Sequence, residues 1–216
     1  LGRHTDKHGG LYVAMLEILR NIVQEVNAAG DLEEALQIIV RRVRAALNTQ
    51  VCSVYLRDPA NGRYVFRATQ GLNPELVGVA SLAASDGLVG LVAERGEPVN
   101  LEEAENHPRF RFMPGIGEEH YHAFLGVPII HQRGVLGVLV VQQTERRRFD
   151  ESDEAFLVTL SAQLAGVIAH AQVTGVLVTQ SLAGAAPAKV TGVPGAPGVA
   201  IGTVVVISPG ADLYAV

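Results

Sequence analysis

Residues 123–143, AFLGVPIIHQRGVLGVLVVQQ, contain two apolar runs joined by the short link His131-Gln132-Arg133-Gly134. That pattern reads as a buried hairpin of an antiparallel sheet. Downstream, Thr144 to Gln172 forms a charged connector feeding a long amphipathic helix. Asp150 and Asp153 open that helix, and Phe156, Leu157, Leu160, Leu164, Val167, Ile168 and Ala171 fall on its apolar positions.

Upstream, Leu11, Met15, Ile18, Leu19, Ile22, Val23 and Val26 recur every three or four residues and make one stripe on a helix that ends near Gly30. Asp31 stands three residues before Glu34 in the manner of a capping box, and Leu32, Ala35, Leu36, Ile39, Val40, Val43 and Leu47 mark a second helix. Val51–Leu56 and Tyr64–Thr69 are β-rich runs separated by Asp58-Pro59-Ala60-Asn61-Gly62, so they predict a first hairpin. Val79–Ala83 predicts a weaker strand. Ser85-Asp86 can cap a short helix over 87–94 that Gly96 and Pro98 end. Residues 100–122 lack a steady period and predict a long loop with short helical turns, the kind of segment that often carries function.

The 216 residues allow one full core of about 150 residues plus an appendage. A formal charge of −5 gives no reason to expect nucleic acid or an anionic membrane as partner. The single cysteine, Cys52, excludes an internal disulfide and a thiolate metal cage, and it fits a reducing, cytoplasmic setting. No uninterrupted apolar run reaches the ~18 residues of a membrane span, and no secretory signal opens the chain. Residues 1–14 read as an expression scar or upstream extension, and 15–178 as the folded domain. The Ser, Ala, Gly and Pro of 179–191 read as a linker, and 192–216 as the incomplete start of a further domain.

The order helix, helix, hairpin, strand, short helix, long loop, hairpin, helix is that of a GAF domain, which residues 15–175 resemble throughout. The resemblance narrows through VCSVYL at 51–56, DGLVGLV at 86–92, His107-Pro108 with Phe110 and Pro114, and the runs AFLGVPII and LGVLVVQQ. These look like the amino-terminal GAF domain of enzyme I of the nitrogen phosphotransferase system. GVPGAPGVAIG at 192–202 is similar to the opening strand of the phosphohistidine domain that follows in that family. The resemblance implies an α+β fold, with a central antiparallel sheet, terminal helices on one face and a loop-covered ligand pocket on the other.

It further implies a domain that adjusts the autophosphorylation of its parent in response to glutamine or 2-oxoglutarate. The parent would use Mg and pass phosphate from phosphoenolpyruvate to a small phosphocarrier protein. The family's threonine-serine-histidine setting is absent from 190–216, so phosphotransfer is not expected within this chain. Against the cyclic-nucleotide GAF pattern, Phe149, Asp153 and Glu154 match, while Gln142 and Gln143 replace its asparagine-lysine pair and remove the lysine-aspartate bridge.

Ligand contacts are expected around the 100–122 loop. Arg109 and Arg111 flank Phe110 in RFRFM, which also holds Phe112 and Met113, and a guanidinium fork suits carboxylates. The plainer reading is two solvated arginines around an apolar anchor. His120 and His122 beside Glu118 and Glu119, with His107 as a further donor, have the chemistry of a metal site, yet as rings on one strand face they serve equally as pocket lining. Asn100, Phe124, Gln142 and Gln143 lie at strand ends near the presumed pocket, and Cys52 reads as an inert core thiol. No catalytic residue is assigned and no metal or cofactor is expected in this chain.

The helix stripes at Leu16, Leu19, Val23 and Val26 and at Leu160, Leu164, Val167 and Ala171 predict a homodimer seam if they exceed what the core covers, and Val173–Val178 continue the apolar pattern. A ligand-free dimerisation scaffold and the sensor of a transcription activator are the rival functions. The tail argues against the activator, because GVPGAPGVAIG lacks the lysine of a phosphate loop.

Overall fold

A computed structural model of the chain describes residues 7–184. Two units divide the chain, 1–178 and 179–216, and the account below concerns the first; of the second, only residues 179–184 are described, as the end of a helix. The expected phosphohistidine-domain strand at 192–216, most of the expected linker and residues 1–6 lie outside the described residues.

Six strands form one antiparallel sheet: β1 (Val51–Arg57), β2 (Tyr64–Gln70), β3 (Ser81–Leu82), β4 (Val99–Leu101), β5 (Ala123–His131) and β6 (Gly134–Gln143), in the order β3-β2-β1-β6-β5-β4. The expected hairpin is the β5–β6 pair, running from Ala123 opposite Gln143 to His131 opposite Gly134. Its two-residue turn holds Gln132 and Arg133 at φ of 46° and 68°. Left-handed central residues are what the right-handed twist of a tight hairpin requires, even where Asn-Gly is not available.

Four helices, α1 (Lys7–Ala28), α2 (Leu32–Ala46), α3 (Gly87–Arg95) and α4 (Glu151–Gly184), complete the described architecture with two short 3-10 turns, Pro74–Leu76 and Ala104–Asn106. The capping bond at α2 forms as expected, with Asp31 Oδ1 accepting from Glu34 N at 2.8 Å, while the Glu34 carboxylate reaches back to Gly30 N at 2.7 Å, one residue before the N-cap N–H of a full capping box. Asp86 stands at the start of α3 without making a capping bond, while Gly96 closes that helix in the left-handed conformation at φ 64°.

Three differences from the sequence reading have local causes. The α1 helix begins at Lys7, inside the stretch read as an extension, and α4 continues to Gly184, past Val178 where the linker was expected. Once a helix is nucleated and packed, each further residue adds one i to i−4 bond, so its ends can run past the apolar period that marks it in sequence. The third is β4, which arises at the start of the 100–122 segment: three residues paired to β5 are too few to show a period in sequence.

Alternation along the strands splits the core in two. Cys52, Val54, Leu56, Leu125, Val127, Ile129, Leu139 and Val141 face α1, α2 and α4, whose Ile22, Leu36, Ile39, Leu157, Leu160, Leu164 and Ile168 are almost fully buried against them. Residues 151–172 are long and apolar enough by composition to cross a membrane, but these same side chains supply one wall of the core. Tyr55, Phe66, Phe124, Val138 and Val140 face the other way, toward α3 and the loops. Gly126 lets α3 approach: a Cβ there would sit 2.9 Å from Val92 and 2.8 Å from the Phe124 ring. Gly137 is required for a similar reason, since its Cβ would lie 2.4 Å from the Tyr55 carbonyl oxygen on the adjacent strand.

Candidate functional site

Under the 107–121 loop, on the α3 side of the sheet, lies a cavity of about 30 Å³. Tyr55 from β1, Phe124 from β5, Val140 and Gln142 from β6, Gly87, Leu88 and Val89 from α3, Leu82, and Phe110, Arg111, Met113 and Glu118 from the loop line it. Such a volume is about that of one water molecule. The loop is held down by Ile116, which is fully buried, by Asn73, whose N–H donates to Ile116 O at 2.9 Å and whose Nδ2 donates to Gly115 O at 3.0 Å, and by Tyr121 OH, which donates to Gly71 O at 3.3 Å.

The polar groups in the cavity are sparse and under-partnered. Gln142 is only 6% exposed, and its side-chain amide makes no hydrogen bond among the described residues. Tyr55, 5% exposed, leaves its hydroxyl in the same condition. Glu118 Oε1 accepts the Met113 N–H at 3.0 Å, which closes the 113–118 turn. Burial pushes the Glu118 carboxyl above its usual range, the Met113 N–H opposes that, and Glu119 adds to the rise. Burial, then the Glu118 carboxylate, push the Tyr55 hydroxyl upward as well. Arg111 reaches the rim, with its Nη1 donating to Phe110 O at 3.2 Å.

Of the ten residues predicted as ligand contacts, Phe110, Arg111, Met113, Phe124 and Gln142 line this cavity, and the other five do not. Arg109 is turned outward, bonded to Glu94 Oε2 at 3.1 Å and to Ser85 O at 2.5 Å. Phe112 is 50% exposed and His120 is exposed. His122 Nδ1 lies 2.6 Å from Glu105 Oε1, and Arg146 reaches the same carboxylate. Asn100 joins β4 to the start of α4: its Nδ2 donates to Phe149 O at 2.9 Å and Glu154 Oε2 at 3.1 Å, and its Oδ1 accepts Phe149 N at 3.2 Å. An asparagine at a sheet edge spends its amide on backbone groups that the edge leaves open.

Besides the apolar lining, the ligand prediction lacks two polar cavity residues, Tyr55 and Glu118. Strand parity places Tyr55 opposite Cys52, Val54 and Leu56, which was the available signal. Glu118 stood in sequence only as a metal-ligand candidate. Among the described residues no three His, Cys, Asp or Glu side chains gather so as to hold a metal ion. Cys52 is fully buried and desolvation pushes its thiol well up, so it is unreactive. The lost lysine-aspartate bridge has a partial replacement: Arg147 Nη2 donates to Gln143 Oε1 at 3.4 Å while its Nη1 lies 4.0 Å from Asp153 Oδ2.

The sheet order, the flanking helices and the loop-covered cavity define an α+β domain with one face of its sheet under loops, and the GAF domain pattern matches residues 31–168: the chain belongs to the GAF domain family. Within that family it is similar to the solved GAF domain of a phosphoenolpyruvate-protein phosphotransferase (ptsP) from Coxiella burnetii, at 52% identity and a TM-score of 0.72, covering 75% of this chain and 96% of that one. The corresponding GAF domain from Acinetobacter is 54% identical with a TM-score of 0.69, covering 74% and 95%. A phosphoenolpyruvate-dependent phosphotransferase system protein of Salmonella typhimurium is 46% identical over 189 residues, 88% of this chain. The chain spans about a quarter of the length of the curated relatives it matches.

Proposed function

We propose that this GAF domain senses a small nitrogen-status metabolite, glutamine or 2-oxoglutarate, and thereby controls autophosphorylation of the phosphotransferase of which it is a part. The single observation that carries this reading is the loop-covered cavity itself, in which the polar groups of Tyr55, Glu118 and Gln142 lie among apolar side chains. The small cavity corresponds to the closed arrangement, and the 107–121 loop is the element that ligand entry displaces. In this reading the longer parent works in the cytoplasm, uses Mg, and passes phosphate from phosphoenolpyruvate to a phosphocarrier protein, while this chain performs no transfer itself.

Titration of the chain with glutamine or with 2-oxoglutarate at millimolar concentration is expected to raise its melting temperature by roughly 2–5 °C at saturation. Failure of both to move it would sink the sensing reading for this domain.

A second reading concerns assembly. Although Leu19, Val23 and Val26 pack on the core, α1 leaves Val13 and Leu16 55% and 46% exposed and Ile18 also exposed. That outward face supports a homodimer through the terminal helices. Sedimentation of the chain across a concentration series tests it, and a monomer at every concentration would exclude it.

A further inference from the structure

We infer that the cavity reads an ammonium group, with Glu118 as the residue that selects it. The inference rests on the sensing function proposed above and specifies its ligand. Glu118 is a half-buried carboxylate with no Lys, Arg or His nitrogen within ion-pair distance among the described residues. Its one donor among the described residues is the Met113 backbone N–H. A carboxylate drawn out of water normally takes a cationic partner, because unpaired burial is costly. Here the chain supplies none.

The neighbours complete the geometry of a cation donor's site. Tyr55 and Gln142 line the same cavity and are more than nine-tenths buried as residues, neither the hydroxyl nor the amide is bonded to another described residue, and each offers the cavity an oxygen lone pair. An ammonium group carries three or four N–H donors and no acceptor, and its size suits a cavity of about 30 Å³. Three acceptors of this kind, one of them charged, match it. The remainder of a larger ligand would displace Phe110 and Met113, and a ligand carboxylate would then meet Arg111 at the rim. A dicarboxylate without an amine brings like charge against Glu118 and is rejected.

Two sources carry this chemistry, an amino acid and the free ammonium ion, and calorimetry on the full chain separates them. Glutamine, ammonium chloride against a sodium chloride control, and 2-oxoglutarate are each titrated into the unaltered chain and into Glu118→Gln. That substitution keeps a carbonyl oxygen to accept the Met113 N–H and leaves the turn intact. Binding of glutamine, or of ammonium alone, that weakens roughly tenfold or more in Glu118→Gln supports the inference, with 2-oxoglutarate unaffected or improved. Tyr55→Phe, which keeps the ring packing, is expected to weaken the same ligand by a smaller factor.

Binding of 2-oxoglutarate alone overturns the ammonium inference and leaves sensing intact. Glutamine binding that Glu118→Gln does not change removes Glu118 from the selection. No binding of any of the three overturns the proposed sensing and this inference together.

Discussion

The two faces of the one sheet are built to different rules. Toward α1, α2 and α4, the alternate residues of β1, β5 and β6 are aliphatic, and the helices fill the space against them. Toward α3 and the loops, the residues in between include Tyr55, Ser53, Gly126 and Gln142. Ser53 spends its hydroxyl on Thr69 at 2.9 Å, but Tyr55 and Gln142 spend theirs on nothing among the described residues. The first face is what a fold needs and the second carries polar groups that folding does not use. Neighbouring residues of a single strand thus serve separate ends, because side chains alternate across the sheet.

Substitutions on the two faces of β6 put this contrast to its hardest test. Leu139→Ala, on the helix side and fully buried, is expected to cost about 2–5 kcal/mol in urea unfolding. Gln142→Leu, three residues on and facing the cavity, is expected to cost less than about 0.5 kcal/mol or to stabilise, since it removes an unpartnered amide. Equal losses at the two positions would mean that the cavity face is ordinary core.

Asn100→Ala tests whether the edge asparagine is structural. The loss of its bonds to Phe149 and Glu154 is expected to lower stability by about 1–3 kcal/mol, with ligand affinity unchanged. A selective loss of affinity would instead return Asn100 to the ligand site.

The smallest effect is a pH-dependent one at Glu118. Its carboxyl is raised in the folded chain, chiefly by burial, so the ionised form is disfavoured by folding. Its contribution to stability is full below the unfolded value of about 4.3 and is lost as the pH rises through the raised folded value. Glu118→Gln should therefore melt slightly above the unaltered chain at pH 7 without ligand, and the gap should close as the pH is lowered toward 4. A gap that widens on acidification would reverse the assignment.

Much of this fold is legible in the chain because its elements repeat. The periods of α1, α2 and α4 and the apolar continuity of β5 and β6 each extend over many residues, so local pattern and burial agree. Short elements are not legible in that way. Strand β4 owes its existence to pairing with β5, and the cavity loop has no period, since its anchors, Ile116 beneath and Asn73 alongside, act across the fold. The site was half legible for the same reason: Phe110, Arg111 and Met113 are neighbours in sequence, whereas Tyr55 lies far from them along the chain. Arg109, His120 and His122 have suitable chemistry but point elsewhere, because Glu94, solvent and Glu105 claim them.

By itself the sequence determined the order of the long elements, the Asp31 cap, the buried hairpin and the family, all of which follow from residue type and spacing over short distances. Tertiary structure alone decided which groups meet in the cavity. It brought Glu118, Tyr55 and Gln142 together without an ion pair to Glu118 among the described residues, because that convergence depends on which side of the sheet each strand turns and on where the loop is pinned.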